Sequence, residues 1–262
     1  MDRLKEKESS QLTEELDCRI QTNQSFGDAN LTSWLIPKLN LKKEDNLFDL
    51  GCGTGNHLLS FAKEIQTEFA CTGADLSGKS LKEAEENSKK QQLKIKFLEQ
   101  NMDNLDPELT SQKFDIITSI YAAYYTNDIN ALLKNLNNML NQNGRIAIMG
   151  PYSNNNKGWF DFIYQFMDLS ERVKKSTTTF MTDEILPFAI NNFSTVNCYR
   201  FVNNIIIPTI EDLRNYWKSN IYYDEKLDPE FEKFAALHFS KNSNFTFQKV
   251  ASLILMETKF EK

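Results

Sequence analysis

A chain of 262 residues with 40% hydrophobic and 25% charged side chains carries enough apolar material for one substantial core. Its net charge of -6 gives no general attraction to phosphate backbones or anionic lipid, which disfavours nucleic acid and membranes as partners. Four scattered cysteines without a C-x-x-C pair point away from zinc and disulfides and toward a reducing, cytoplasmic setting, and no apolar run suits a membrane span or a leader peptide.

The amphipathic stretch from Leu12 to Leu39 is expected to pack over the carboxyl edge of a sheet, making residues 1–40 a helical lid. From there to about residue 150, short β-like runs alternate with amphipathic helices, the pattern of a parallel sheet covered on both faces. Asn46–Leu50 reads as the first strand, followed by a glycine-rich turn and a helix from Asn56 to Gln66 with Leu58, Leu59, Ala62 and Ile65 on one face. Phe69–Ala74 reads as the second strand. Ser77 is placed to cap a helix carrying Leu81 and Ala84 inward, and Ile95–Leu98 makes the third strand. Phe114–Ile120 is the fourth. A helix stripe of Ile129, Leu132, Leu133, Leu136, Met139 and Leu140 is then stopped by Asn143-Gly144, ahead of strand Arg145–Met149. Beyond Pro151 come aromatic-rich helical segments over residues 157–190, a strand at Thr195–Ile207, a helical insertion with Leu213, Tyr216 and Trp217, and a last β run at Phe245–Glu257.

The chemistry concentrates in Asp49-Leu50-Gly51-Cys52-Gly53-Thr54-Gly55, a carboxylate at a strand end and three glycines at alternate positions before a helix. Without Cβ atoms, such a turn lets a ligand lie against backbone N–H groups at the helix N-terminus. The spacing differs from the dinucleotide fingerprint G-x-G-x-x-G/A, which needs a small residue where Asn56 stands, and lacks the Gly-Lys-Ser/Thr ending of a P-loop. It resembles motif I of class I S-adenosylmethionine-dependent methyltransferases. Later segments match the same family in order: Ala74-Asp75-Leu76-Ser77, Glu99 through Leu105, Phe114 through Tyr125, and Leu140 through Arg145.

That resemblance, over about residues 45–150, implies a doubly wound, seven-stranded, mostly parallel α/β sheet of Rossmann-like type with an antiparallel last strand and helical cap insertions. Residues 41–150 would be the cofactor-binding core, and residues 151–262 would complete the sheet and cap the acceptor. Asp49 would hold the methionine amino group, and the backbone of Gly51, Cys52, Gly53 and Gly55 would face the carboxypropyl chain. Asp75, followed by Leu76, would accept both ribose hydroxyls. Asn101, where the family has Asp, and Met102 would contact adenine, with Ile120 at the end of the fourth strand completing the site. Tyr121, Tyr124 and Tyr125 either line an acceptor pocket or pack as core, and Pro151 through Trp159 is either an acceptor wall or a surface loop.

The implied activity is direct in-line methyl transfer to an oxygen, nitrogen or carboxylate of a small-molecule acceptor, releasing S-adenosylhomocysteine without a metal. No catalytic residue is assigned; His57 and Tyr125 are the candidates for a base, with His238 behind them. Two other readings compete: a catalytically silent, cofactor-binding regulatory module, and an RNA methyltransferase, which would need a basic stripe at the pocket mouth. The acceptor atom and the oligomeric state stay open.

Overall fold

Short runs rich in Ile, Leu and Phe become the central strands because helices cover both of their faces, whereas the two edge strands keep exposed positions. In the computed structural model, which describes residues 18–258, the strands are β1 (Leu47–Leu50), β2 (Cys71–Asp75), β3 (Ile95–Glu99), β4 (Phe114–Ile120), β5 (Leu140–Pro151), β6 (Thr195–Ile207) and β7 (Phe245–Glu257). They form one seven-stranded sheet in the order β3-β2-β1-β4-β5-β7-β6. Neighbours are parallel except at β7, which runs antiparallel between β5 and β6. The strand order reverses beside β1, so the carboxyl ends of β1 and β4 flank a crevice, where open α/β sheets place ligands.

The helices are α1 (residues 18–25), α2 (Leu31–Leu39), α3 (Asn56–Ile65), α4 (Gly78–Lys90), α5 (Pro107–Thr110), α6 (Ile129–Asn138), α7 (Lys157–Ile163), α8 (Glu171–Thr178), α9 (Leu186–Asn192), α10 (Ile210–Lys218) and α11 (Asp228–Phe239). Leu35 and Leu39 of α2, Leu58, Phe61 and Ile65 of α3 and Leu81 of α4 share one buried cluster with Leu47, Ile116 and Leu253. Leu132, Leu133 and Leu136 of α6 and Phe188 and Ala189 of α9 pack with Phe48, Ile117, Ile146 and Ile254 on the opposite face. A third, aromatic cluster joins Trp159, Phe162, Tyr216, Trp217 and Phe231 to Phe245 and Phe247, seating the cap helices where the carboxyl end of β6 pairs with the amino end of β7. No helix among the described residues is long and apolar enough to cross a membrane.

Three boundaries differ from expectation. The Leu12–Leu39 stretch is not one element: its described part breaks between α1 and α2, where Gly27 pairs with Ile205 and the Asp28 carboxylate accepts the Asn204 N–H at 2.8 Å. Asn30 then caps α2 by accepting from the Ser33 N–H. Helix α2 lies on a sheet face, its C-terminal carbonyls at Leu39 and Asn40 held by the buried Arg145 guanidinium, which also pairs with Asp45. The part of the expected lid before residue 18 lies outside the described residues. Leu140 belongs to β5, opposite Phe114, because the parallel ladder begins there. Asn143-Gly144 therefore lies inside that strand's irregularity, with Asn143 at φ 60° and the Asn141 amide donating to Asp115, while the helix has already ended at Asn138. Phe69, expected in the second strand, is 63% exposed with φ 59°, and the strand starts at Cys71.

Candidate functional site

The glycine turn leaves β1 with Gly51 at φ 78° and Gly53 at φ 54°, in the left-handed region that costs any other L-residue strain. The turn is closed from the β2 side: the N–H groups of Gly51 and Cys52 both donate to the Ala74 carbonyl, at 2.7 and 3.0 Å. A Cβ on Gly51 would stand 2.2 Å from that of Ala122, whereas one on Gly53 would meet nothing within 4 Å. Gly51 thus serves packing against the turn after β4, and Gly53 leaves open backbone.

Asp75, at the carboxyl end of β2, accepts the Gly53 N–H at 2.8 Å on one oxygen and the Ser77 N–H at 2.9 Å on the other. It is half-buried, and each oxygen keeps a second lone pair for a hydroxyl donor. Asp49, 3% exposed, accepts the Thr118 hydroxyl at 2.7 Å. Burial pushes its carboxyl up to about 7, against the pull of Thr118 and with a further push from the nearby Asp75 charge. Two carboxylates therefore face the turn from adjacent strand ends. Cys52 is buried, and burial raises its thiol far above the ordinary range, which leaves it chemically inert. Leu76, 67% exposed beside Asp75, offers an apolar surface, and Ile120 is packed at the end of β4.

After β3, the Asn101 side-chain oxygen accepts the Asp103 N–H at 2.9 Å, closing its own turn and keeping one lone pair outward. Met102 packs partly into the core and lines a small cavity with Asn127, Ala131 and Leu132. Asp103 ties this turn to the loop after β4 by accepting from Thr126, the Asn127 N–H and the Asn127 amide; burial alone would raise its pKa, but these donors hold it below the usual carboxylate range. Sequence reasoning missed Thr118 and Asp103. The signal for Thr118 was a hydroxyl in a buried strand, on the residue that pairs with Asp49.

Tyr121 leaves β4 at φ 57°, and Tyr124 and Tyr125 follow in a 3-10 turn with ring centroids 4.7 Å apart. Burial raises the Tyr124 phenol, and the Tyr125 and Tyr121 hydroxyls raise it further. His57 sits elsewhere: its Nδ1 is 2.8 Å from the Thr32 hydroxyl and its ring stacks on Phe61, linking α2 to α3, and burial lowers its pKa to about 4. His238 on α11 contacts the Asn244 carbonyl and Phe245. Pro151 through Trp159 continues onto β7, with Asn155 accepting the Val250 N–H and Asn156 donating to the Gln248 carbonyl, so it forms a wall at the carboxyl end of the sheet. No cluster of three or more His, Cys, Asp or Glu suited to a metal ion occurs among the described residues.

Compared with known proteins, residues 41–223 match a family described as a methyltransferase domain. The chain is 36% identical over 115 residues to an uncharacterised protein of Haemophilus influenzae, covering 43% of each. It is 26% identical over 138 residues to a demethylmenaquinone methyltransferase of Lactobacillus johnsonii, covering 51% of this chain and 57% of that protein. The chain therefore spans about half the length of these curated relatives. Its fold is similar to that of the YcgJ protein of Bacillus subtilis, with a TM-score of 0.62 at 17% identity, over 88% of this chain and 98% of that one.

Proposed function

Since the chain belongs to the class I S-adenosylmethionine-dependent methyltransferase family, as its methyltransferase-domain match over residues 41–223 shows, we propose that it transfers a methyl group from S-adenosylmethionine to a small-molecule acceptor. The observation that carries this reading is Asp75, its two oxygens bridging the Gly53 and Ser77 N–H groups beside backbone that a Cβ would otherwise cover. In this reading Asp75 receives the ribose hydroxyls, Leu76 and Met102 border the adenine with Asn101, and Asp49 faces the amino group. The carboxypropyl chain then runs along Gly51, Cys52, Gly53 and Gly55 toward the N-terminus of α3, with Ile120 closing the far side.

The bound sulfonium supplies a methyl group already activated for displacement by a nucleophile in line with it. The protein's own contribution is then orientation and the exclusion of water by Tyr121, Tyr124 and Tyr125. Tyr125, 45% exposed, serves as a pocket wall and His57 as a packing contact. A demethylmenaquinone methyltransferase among the relatives supports a small-molecule acceptor. Four unpaired cysteines suit the cytoplasm.

Turnover is tested by following S-adenosylhomocysteine formation across a panel of small quinones, phenols, amines and carboxylic acids. Formation with at least one of them is expected. Tight cofactor binding with no turnover on any acceptor would favour the silent regulatory module, and no binding of donor or product would refute the family's activity for this chain.

The Asp49 environment predicts a pH dependence of cofactor binding. With its carboxyl held up to about 7, Asp49 is largely protonated at about pH 6 and largely ionised at about pH 8. A cationic amino group favours the ionised form, so affinity for S-adenosylhomocysteine rises with pH across that window by up to roughly tenfold, with proton release on binding at the acid end. Calorimetry in two buffers of different ionisation enthalpy measures both. Asp49→Asn should flatten the profile, and a flat wild-type profile would contradict the role.

A further inference from the structure

Between the tyrosine turn and the aromatic cap, three residues from distant parts of the chain meet, and no carboxylate among the described residues balances them. Lys249 lies on β7 with the parity of Phe247 and Ala251, both buried, so its stem points inward where the strand pattern calls for an apolar residue. Its ammonium stands 5.8 Å from the centroid of the Tyr216 ring. Tyr216, on α10, is 0% exposed, and its hydroxyl has no hydrogen-bond partner. Such a group costs free energy unless something polar reaches it.

Helix α1 brings the third residue. Asn203, the cross-strand neighbour of Lys249, donates to the Asn23 carbonyl at 3.2 Å and accepts the Ala29 N–H at 3.0 Å, which pins the end of α1 across this part of the sheet. Arg19 precedes Asn23 by one helical turn and so shares its face. One guanidinium nitrogen donates to the Ser219 carbonyl just after α10, which fixes the group and leaves other donors available. The charge of Arg19 reaches Tyr124, Tyr216, Tyr222 and Lys249: burial raises the three phenols and Arg19 partly offsets that rise, while burial first and Arg19 second push Lys249 down to about 7. No carboxylate among the described residues pairs with either cation.

Two cations and an unpaired hydroxyl in one half-buried place form an arrangement that an anion would complete. We propose that Arg19, Lys249 and the Tyr216 hydroxyl form the seat of a carboxylate group on the methyl acceptor, covered by α1. The seat deepens the methyltransferase reading and rests on it for what the bound acid is used for. Trp159 meets the Tyr216 ring edge-on and donates its indole N–H to the Tyr222 hydroxyl, so the surface beside the seat is aromatic and suits an acid with an apolar or aromatic body. Lys249, pushed down to about 7, is only partly charged near neutral pH, so together with Arg19 the seat is closer to balancing a single carboxylate than a dianionic phosphate.

Binding to protein saturated with S-adenosylhomocysteine, read by thermal shift and calorimetry, tests the seat with benzoate and hexanoate against the neutral benzamide and hexanamide, and with inorganic phosphate. The carboxylates should bind and the amides should not. Lys249→Met and Arg19→Gln should each weaken benzoate at least about tenfold, and Tyr216→Phe, which keeps the ring packing, about fivefold. All three should leave affinity for S-adenosylhomocysteine unchanged. Because Lys249→Met removes an unbalanced charge, its melting temperature without ligand should be equal to or above that of wild type; a clear drop would mark Lys249 as a structural residue and overturn the seat. Equal binding of acids and amides, unchanged affinity in the variants, or phosphate binding as tightly as benzoate would overturn it too. Absence of S-adenosylhomocysteine binding by wild type would instead refute the methyltransferase reading, whatever the acids do.

Discussion

Asp75→Asn is expected to weaken S-adenosylhomocysteine binding by roughly 100-fold, about 3 kcal/mol, the worth of two hydrogen bonds to a charged acceptor. The substitution keeps the side chain's size and removes the charge. It also turns an amide N–H₂ toward a position where the Gly53 or Ser77 N–H now donates, so one of those two contacts becomes donor against donor. Either the glycine turn or the start of α4 then loses a partner together with the ligand's anchor. Stability should fall only slightly, because Asp75 is half-buried and its neighbours can reach water. Donor and product share the ribose, so the loss should appear as uniform binding: the KM for the donor rises while kcat with a given acceptor is largely retained. Calorimetric titration reads the effect directly, and a change under about threefold would remove Asp75 from the site.

Gly51→Ala should be the most damaging single substitution in the turn. Gly51 stands at φ 78°, and the added Cβ would lie 2.2 Å from that of Ala122, itself 6% exposed. Left-handed backbone costs about 1–2 kcal/mol for a residue with a Cβ, and overpacking adds about 1–3, so the loss should be about 2–5 kcal/mol, a fall in Tm of roughly 5–15 °C for a chain of this size. Relief of the clash moves Ala122, which leads into the turn carrying Tyr124 and Tyr125. Cofactor binding and acceptor positioning should fail together. Gly53→Ala is the informative partner: it has the same backbone strain and no clash, so it should cost only about 1–2 kcal/mol while its Cβ takes the space of a ligand. Calorimetric melting and titration of the two variants separate packing from clearance. If Gly53→Ala bound S-adenosylhomocysteine as wild type does, the open backbone there would not be the ligand's path.

Much of this molecule was legible in its residues, for local reasons. A strand buried on both faces reads as a short apolar run and an edge strand as an alternating one, and so each strand was found close to its place. Alternate glycines after a strand-end carboxylate leave few turn geometries, and the acidic end of β2 falls beside them because β1 and β2 pair in parallel register, Asp49 opposite Gly73 and Leu50 opposite Ala74. The errors fell where a boundary depended on a distant partner. Leu140 continues the apolar stripe of α6, yet Phe114 recruits it into β5. Leu35 and Leu39 have helical spacing with the residues before them, yet the pairing of Gly27 with Ile205 breaks the helix and sends α2 onto the sheet face.

The linear chain alone decides the periodicity of each element and the shape of the glycine turn, because φ and ψ preferences and neighbour spacing act within a few residues. Only the folded chain brings Arg19, Tyr216 and Lys249 together, from α1, α10 and β7. Lysine at an inward parity in β7 hinted at this. Whether such a residue lies beside a carboxylate, in water or against another cation is set by segments some two hundred residues away in sequence, and electrostatic surroundings in a low-dielectric interior depend on who is near, not on residue type.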